Sequence, residues 1–455
     1  MMSARRRPGF AEPLRNSEFR ALWLAELISV VGDQLARVAL ALVVYAQTSS
    51  AFLTALTYGL TLVPSLLGGM LLSGLADRFS RRGVMIVADI ARALFAVAMA
   101  VPGLPLPVLW ASVGLLSFAA GPFKAAQMSL LPEVLGRGER YEAGLALRQF
   151  TTQLAQLAGF AGGGLLLAWL EPHVAMGLNA GTFVVSTVLV LLGVRRRPAA
   201  RGATQPAASG DGRGAGGNRG LVGVLFGMVL LLGLYIVPEG LAAPYGHQVG
   251  AGAVGVGLLL AADPVGSAVG AWASTRISLP TRLPTVVASA VLAGLPLAIC
   301  AARPGLALTL MLWALSGAMA QVFLIKTQAL VVAVVPNHRL GGVMGRMGTV
   351  MYCSQGLMIV AGGAVADRLG PFRATAAAGA VAAGAALVVG AGWWVARSRG
   401  ATGSEPNSVE QDLDHHSLPC TSGTSPRDQD RRTSRVARFD TAPTRPATHG
   451  SQYGR

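Results

Sequence analysis

The chain has 455 residues, of which 53% are apolar and 13% are charged, about half the charged fraction of roughly 25% found in average soluble domains. With a mean hydropathy of +0.54, this composition excludes a soluble globule and a disordered protein. A net charge of +16 would suggest nucleic acid as the partner of a soluble chain. Here the basic residues form short clusters between apolar runs, a pattern that sets membrane topology, so we expect no nucleic-acid partner.

Twelve apolar runs follow one another along the chain, each close to the ~20 residues that cross a hydrocarbon core of about 30 Å. They cover residues 21–46, 51–75, 84–101, 105–126, 142–168, 174–194, 220–244, 252–273, 284–301, 304–328, 342–366 and 372–396. The sequence therefore predicts an all-α polytopic membrane protein with twelve transmembrane helices embedded in the lipid bilayer.

Arginines cluster before the first run and after every second run, whereas the alternate connections contain only Arg303, Arg368 and Arg373. By the positive-inside rule, both termini are cytoplasmic. The amino terminus is basic, but the first apolar run is long and lacks a small-residue cleavage site, so we interpret it as a retained span rather than a signal peptide. We expect a multi-pass protein of the inner or plasma membrane.

The runs divide into two groups of six, and the two groups show weak similarity at a shift of about 200 residues, as the repeats of transporters do. Lys124 and Lys326 occupy corresponding places, as do Arg148 and Arg346. We predict a basic cytoplasmic segment at 1–20, pseudo-symmetric six-helix bundles at 21–194 and 220–396, a flexible cytoplasmic linker at 195–219 and a disordered cytoplasmic tail at 397–455.

Two segments carry a family resemblance. Residues 73–82, Ser-Gly-Leu-Ala-Asp-Arg-Phe-Ser-Arg-Arg, resemble the loop signature Gly-x-Leu-Ala-Asp-Arg-x-Gly-Arg-Arg of the major facilitator superfamily, with Ser73 and Ser80 in place of glycines. Residues 159–166, Gly-Phe-Ala-Gly-Gly-Gly-Leu-Leu, are similar to its antiporter motif Gly-Pro-x-x-Gly-Gly-x-Leu, with Phe160 in place of the proline. Further segments are Arg-Ala-Leu-Trp-Leu at 20–24, Gly32-Asp33, Ala-Asp-Ile-Ala-Arg at 88–92, and the stretch from Gln328 through Val343-Met344-Gly345. Together with them, residues 18–396 resemble the twelve-span drug and natural-product exporters, the branch that includes macrolide-efflux and enterobactin-exporter relatives.

The resemblance implies two six-helix bundles that work by alternating access, usually coupled to protons. It implies a cytoplasmic gate at the loop, with Asp77, Arg78, Arg81 and Arg82, and Arg148 is a further gate candidate. Asp89 and Arg92 lie one turn apart near the cytoplasmic end of the third run, where they can form a structural or gate-supporting pair. Topology-setting charge alone would explain the arginines of the loop but not Asp77 among them. The antiporter-like glycines are Gly159, Gly163 and Gly164, which allow helices to approach closely. The alternative is that these glycines serve only the ordinary packing of small residues between membrane helices.

Ionisable residues inside the apolar runs are costly to insert and therefore indicate cavities or buried pairs. Asp33 and Arg37 lie four residues apart and can pair on one helix face. Asp33 is the best candidate for a proton-carrying carboxylate, the alternative being a fixed structural ion pair. Glu239 follows Pro238 in a broken stretch of the seventh run, where a side chain can face a cavity.

The chain contains only two lysines, Lys124 and Lys326, against 35 arginines. They lie in the fourth and tenth runs, which in the resembling fold face each other across the central cavity. A buried primary amine can change its protonation state, whereas arginine cannot. The alternative is that both lysines extend toward the headgroups at the helix ends.

We expect a secondary exporter of a small hydrophobic or amphipathic compound, such as an antibiotic or natural product, in exchange for protons. A siderophore exporter of the same superfamily is the main alternative, and a transport-inactive sensor or scaffold is a further one. The sequence has no nucleotide-binding Gly-x-x-x-x-Gly-Lys-Ser/Thr motif and no clustered catalytic set. We therefore expect no enzyme activity, no cofactor, no metal site and a monomer that binds only its small-molecule substrate and protons.

Overall fold

The computed structural model describes residues 12–72, 75–136, 139–197, 219–276, 280–335 and 337–400. Within these ranges the secondary structure is helical. The α-helices are α1 Ser17–Thr48, α2 Ala51–Gly59, α3 Val63–Leu72, α4 Leu75–Arg78, α5 Arg81–Met99, α6 Leu106–Leu135, α7 Glu139–Leu166, α8 Pro172–Gly193, α9 Arg219–Leu230, α10 Leu232–Tyr235, α11 Val237–Gly240, α12 Ala242–Gln248, α13 Gly252–Arg276, α14 Leu283–Ile299, α15 Leu306–Val334, α16 Asn337–Leu369 and α17 Pro371–Gly400. Short 3₁₀ helices lie at Glu12–Arg15 and Cys300–Ala302.

Each of the twelve predicted spans corresponds to a helix or to a series of short helices. Side-chain caps define several boundaries: Asn16 accepts the backbone N–H groups of Glu18 and Phe19 at the start of α1, and Ser50 caps α2. The second span is interrupted between α2 and α3, and the seventh is divided into α9, α10, α11 and α12. The predicted break around Pro238 is therefore confirmed.

Ten helices within the described ranges are long and apolar enough to cross a membrane. The third and fifth predicted spans, α5 and α7, do not meet that criterion. Helix α5 contains four charged residues, Arg81, Arg82, Asp89 and Arg92, and α7 contains several glutamines. Both helices nevertheless pack among the spanning ones, α5 against α6 and α8, and α7 against α1 and α13.

The two sets of six spans pack in equivalent ways. In the first set α3 packs against α6, α5 against α6, and α1 against α7. In the second set the corresponding pairs are α13 with α15, α14 with α15, and α10 and α11 with α16. These three pairs of spans are thus in contact in each set, in agreement with the pseudo-symmetric arrangement that the sequence predicts.

Small residues permit the closest helix contacts. A β-carbon on Gly121 of α6 would lie 2.1 Å from the backbone nitrogen of Gly69 in α3, and one on Gly266 of α13 would lie 1.8 Å from the carbonyl oxygen of Ala314 in α15. These two contacts also occupy equivalent span pairs. Close approach of this kind is typical of helices packed in lipid.

Contacts between the two sets are made mainly by α2 with α16 and by α7 with α13. We name the end of the bundle that contains the α1–α2 junction the Asp367 end, after a residue at the carboxyl end of α16. The opposite end, where α5 begins, is the Arg81 end.

Candidate functional site

A buried arginine connects α1, α5 and α8. Arg92 donates through Nη2 to Oδ2 of Asp33 at 2.7 Å and through Nη1 to Oδ1 of Asp89 at 3.2 Å. Ser186 donates to the second oxygen of Asp89 at 2.5 Å, and the Arg92 guanidinium lies 4.0 Å from the ring centroid of Phe183. The predicted Asp89–Arg92 pair is therefore present, and it extends to Asp33.

The predicted pair between Asp33 and Arg37 is wrong. Asp33 on α1 instead contacts Arg92 on α5, because the Arg92 guanidinium, which also binds Asp89, reaches the Asp33 carboxylate. The Arg37 guanidinium is instead 5.5 Å from the ring centroid of Tyr58. Spacing on one helix cannot reveal a partner on another helix, so the sequence did not indicate this connection.

A second ion pair lies nearer the Arg81 end of α1. Arg148 of α7 donates through Nη2 to Oε1 of Glu26 at 2.8 Å and also contacts Oε2 of the same carboxylate. Gln127 of α6 donates to Glu26 at 3.2 Å and accepts from Arg148 at 3.2 Å. Arg148, a predicted gate residue, thus joins α7 to α1 and α6 within the first set of spans.

The two lysines lie in different environments. Lys124 on α6 is exposed, whereas Lys326 on α15 is only 9% exposed. The charges of Asp33, Glu26, Arg37 and Arg92 act on the Lys124 ammonium. The expected equivalence of the two lysines across a cavity therefore holds for their positions in the sequence but not for their surroundings.

Glu239 makes a hydrogen bond between the two sets of spans. It lies in α11, is 9% exposed, and accepts from the hydroxyl of Tyr58 in α2. Next to this bond lies a narrow cavity lined by Arg37, Leu40, Ala41, Thr54, Thr57, Tyr58, Thr61 and Gly240. Tyr58 was missed in the sequence because nothing in a single aromatic residue indicates its distant partner.

The Asp367 end is closed by contacts between the two sets. Asp367 accepts the backbone N–H of Ala51 at 2.6 Å and the hydroxyl of Ser50 at 2.7 Å, so a carboxylate from α16 caps the amino terminus of α2. The rings of Tyr45 and His247 meet edge to face at a centroid distance of 5.4 Å. Asp367 was not among the predicted site residues, although Ala366-Asp367-Arg368 repeats the Ala-Asp-Arg triplet of residues 76–78.

The antiporter-like glycines contact two different helices. β-Carbons on Gly159 and Gly163 would lie 2.7 Å from Cβ of Gln34 and 3.2 Å from Cα of Leu35, both in α1. A β-carbon on Gly164 would lie 2.7 Å from Cα of Gly257 in α13. One segment of α7 therefore packs closely against its own set and, near the Asp367 end, against the other set.

The loop residues at the Arg81 end bind within the first set. Arg81 donates to the carboxylate of Glu133 and to the carbonyl of Ser129 at the end of α6, and Arg82 donates to the carbonyl of Leu191 in α8. Arg78 is exposed. The side chain of Asp77 lies outside the described part of the chain.

A further pair closes the first set at the same end. Arg197, after α8, donates to Glu18 at 2.9 Å, and Glu18 also accepts the backbone N–H of Arg195 at 3.1 Å. The hydrogen bond to Glu18 raises the pKa of Arg197 above its ordinary value. Arg197 also lies 3.7 Å from Glu133, the partner of Arg81.

The Major Facilitator Superfamily model matches residues 22–278, which is more than half of the chain. The chain belongs to the major facilitator superfamily. The members of this superfamily are membrane transporters rather than enzymes. The fold and the loop residues described above agree with that membership.

Curated relatives in the superfamily include the enterobactin exporter EntS of Shigella boydii serotype 4 (strain Sb227), which is 29% identical over 274 residues, 58% of this chain and 64% of the relative. The enterobactin exporter EntS of Salmonella choleraesuis (strain SC-B67) is 30% identical over 275 residues, 58% and 65% of the two chains. The chain thus covers less than two thirds of the length of these relatives.

Solved superfamily structures share the fold. The nucleoside transporter NupG aligns with a TM-score of 0.66 at 12% identity, covering 83% of this chain and 99% of that one. A bacterial homologue of the human lysosomal transporter Spinster aligns with a TM-score of 0.67 at 11% identity, covering 85% and 97%. At these identities the similarity concerns the fold alone.

Proposed function

We propose that the protein is a secondary active exporter of a small hydrophobic or amphipathic compound and works by alternating access. The observation that carries this proposal is a set of charged side chains on interior helix faces, Glu26, Asp33, Arg37, Arg92 and Lys124, next to a bundle end closed by contacts between the two sets. Superfamily membership and the exporter names of the curated relatives support the direction of transport.

The arginine distribution supports an orientation with both termini in the cytoplasm, in the inner or plasma membrane. In that orientation the Asp367 end faces outward and the Arg81 end faces the cytoplasm. We name the open space beside the partly exposed side chain of Asp33 and the exposed side chain of Lys124 the cleft. In this orientation it receives substrate from the cytoplasm, as an exporter requires. We retain residues 21–194 and 220–396 as the two bundles, with the segment 195–219 joining them.

Asp33 is our candidate for the proton-exchanging carboxylate. Two carboxylates share Arg92, and the Asp33 side chain is 29% exposed whereas that of Asp89 is 0% exposed. Water in the cleft can therefore exchange protons with Asp33. A proton on Asp33 removes one of the two charges that hold Arg92, which weakens the connection between α1 and α5 and links protonation to helix movement.

The gate residues act when the bundle is closed at the Arg81 end and open at the Asp367 end, which is the reverse of the conformation in the structure. With the Arg81 end closed, Asp77 and Arg78 would bind the second set of spans across the cytoplasmic side. Arg81 and Arg82, which bind α6 and α8, hold the start of α5 and thereby position this loop. The Asp367 end opens in the same movement, because rocking of two rigid sets about a common cleft separates them at one end as it brings them together at the other.

A siderophore is the second candidate substrate, and the names of the curated relatives favour it over an antibiotic. Deleting the gene and comparing growth under iron limitation with susceptibility to a drug panel distinguishes the two. Loss of growth only in iron-limited medium would indicate a siderophore, and increased susceptibility to drugs would indicate an antibiotic.

Inverted vesicles with and without an imposed pH gradient test the transport mechanism. Addition of a transported compound should partly dissipate the gradient, measured as recovery of quenched acridine fluorescence, and Asp33→Asn should abolish this recovery. Glu171→Gln provides a matched control, because Glu171 is exposed and makes no side-chain capping bond at the start of α8. Accumulation that persists without a gradient would contradict proton antiport, and full activity of Asp33→Asn would contradict the role of Asp33.

A further inference from the structure

Lys124 lies on the interior face of α6. Because an α-helix repeats every 3.6 residues, Val113, Ser117, Ala120, Lys124 and Met128 share one face. The first three are buried, at 2%, 5% and 8% exposure, whereas Lys124 and Met128 are exposed, Met128 at 42%. Because the charges of interior residues such as Asp33 and Arg92 act on Lys124, this exposed part of the face borders the cleft toward the Arg81 end.

The carboxylates whose charges act on this lysine, Asp33 and Glu26, are already engaged by arginines. Asp33 binds Arg92, and Glu26 binds Arg148. Over the described ranges of the chain, the structure gives the Lys124 ammonium no ion pair and no hydrogen-bond acceptor. Lys124 is thus a positive charge on the cleft wall that the neighbouring side chains do not neutralise.

Closure of the cleft makes such a charge costly. While the cleft is open, water solvates the ammonium, but closure at the Arg81 end removes that water. A charge buried without a partner is strongly unfavourable. A negatively charged group of the cargo can provide the missing partner, and the apolar side of the same cargo can contact the adjacent Met128.

We infer that the transported compound is an amphipathic organic anion whose carboxylate, sulfonate or phenolate group binds the ammonium of Lys124. This inference rests on the proposed transport function and adds the chemical class of the substrate. Under this inference Lys124 binds the anionic group of the substrate, a role that Lys326, which is buried in α15, does not share. Binding requires the positive charge of Lys124 and does not require the lysine to change its protonation state.

The presence of only two lysines makes a direct binding test possible. The purified full-length protein is treated with a water-soluble amine-acylating reagent, and the peptides containing Lys124, Lys326 and the amino terminus are quantified by mass spectrometry. We expect acylation of Lys124 and protection of Lys326. The probes are 1-naphthoate and 1-naphthalenesulfonate, with the uncharged 1-naphthylmethanol as their matched control.

An anionic probe at twice its dissociation constant should lower the acylation rate of Lys124 about threefold, as simple occupancy requires, and the alcohol should leave it unchanged. Equal protection by the alcohol, or no protection by either anion, overturns the inference. Protection of the amino-terminal amine to the same extent would also overturn it, because that result would indicate a change in reagent reactivity rather than binding at Lys124.

Transport by variants gives the second test. In vesicles, Lys124→Gln should raise the apparent KM for organic anions about tenfold or more, the effect of losing one hydrogen bond to a charged group, whereas Lys124→Arg should retain most of the affinity. Equal loss in both variants overturns the inference. Efflux restricted to neutral or cationic compounds overturns it while leaving the exporter function intact, and absence of efflux of any compound contradicts the exporter function itself.

Discussion

Replacement of Asp367 should open the end of the bundle that this residue closes. Its carboxylate accepts the N–H of Ala51 at 2.6 Å and the hydroxyl of Ser50 at 2.7 Å. Hydrogen bonds to charged groups contribute about 1.5–3 kcal/mol, and an anion at a helix amino terminus contributes about 0.3–1 kcal/mol. Because Asp367 is exposed and water weakens charged contacts at the surface, we expect less than the sum of these contributions, about 2 kcal/mol for Asp367→Ala.

A loss of about 2 kcal/mol changes the ratio of closed to open protein about 30-fold, since 1.4 kcal/mol corresponds to a factor of ten. Asp367→Asn keeps one acceptor for the backbone N–H but loses the charge and the bond from Ser50. We expect about 1 kcal/mol for this variant, or a change of about fivefold. The two substitutions thus form a graded series.

Distances between spin labels report this equilibrium. Labels at the exposed residues Gln47 and Leu369, in a protein whose native cysteines have been replaced, should give a longer-distance population that increases from the wild type to Asp367→Asn and further to Asp367→Ala. Arg368→Gln is the matched control, because its side chain is exposed beside Asp367. Identical distance distributions in the wild type and Asp367→Ala would refute the reasoning.

Three further substitutions test other contacts. Gly164→Ala should prevent closure of the Asp367 end and abolish efflux in the vesicle assay, because the new β-carbon would meet backbone atoms of α13. Gly162→Ala is the control and should leave efflux unchanged, because nothing lies within 4 Å of its β-carbon. Arg92→Gln should lower the free energy of unfolding by about 3–5 kcal/mol, since two carboxylates lose their shared partner; a thermal-unfolding midpoint equal to that of the wild type would contradict this. Tyr58→Phe removes a buried bond between the sets and should reduce the efflux rate at normal membrane levels of protein, with the exposed Tyr352→Phe as its control.

Much of the fold could be predicted from the sequence because lipid imposes a length and a polarity on each span. The predicted run at 174–194 became the helix Pro172–Gly193, and the run at 252–273 became Gly252–Arg276. The break in the seventh span was visible from Pro238. The interruption between α2 and α3 was not predicted, although Pro64 at the start of α3 could have indicated it.

The partners of the candidate site residues could be predicted far less well. Spacing suggested that Asp33 pairs with Arg37 on one helix, but the structure brings Arg92 from α5 to Asp33. The bond between Tyr58 and Glu239 joins residues 181 positions apart. Helical periodicity identifies the side chains that can share a face, whereas contacts between helices depend on packing that composition and spacing do not encode.

The glycine contact between α7 and α13 lies near the carboxyl end of helix α7. A small rotation around this contact therefore displaces the amino end of α7 by a much larger distance. From Gly164 to the start of α7 at Glu139, the helix extends for about 38 Å at 1.5 Å per residue. A rotation of about 10° around that contact would displace the far extremity by about 6–7 Å. In the proposed alternating-access movement, a small rotation where the two glycines touch would therefore move the other end of α7 far enough to admit a small molecule.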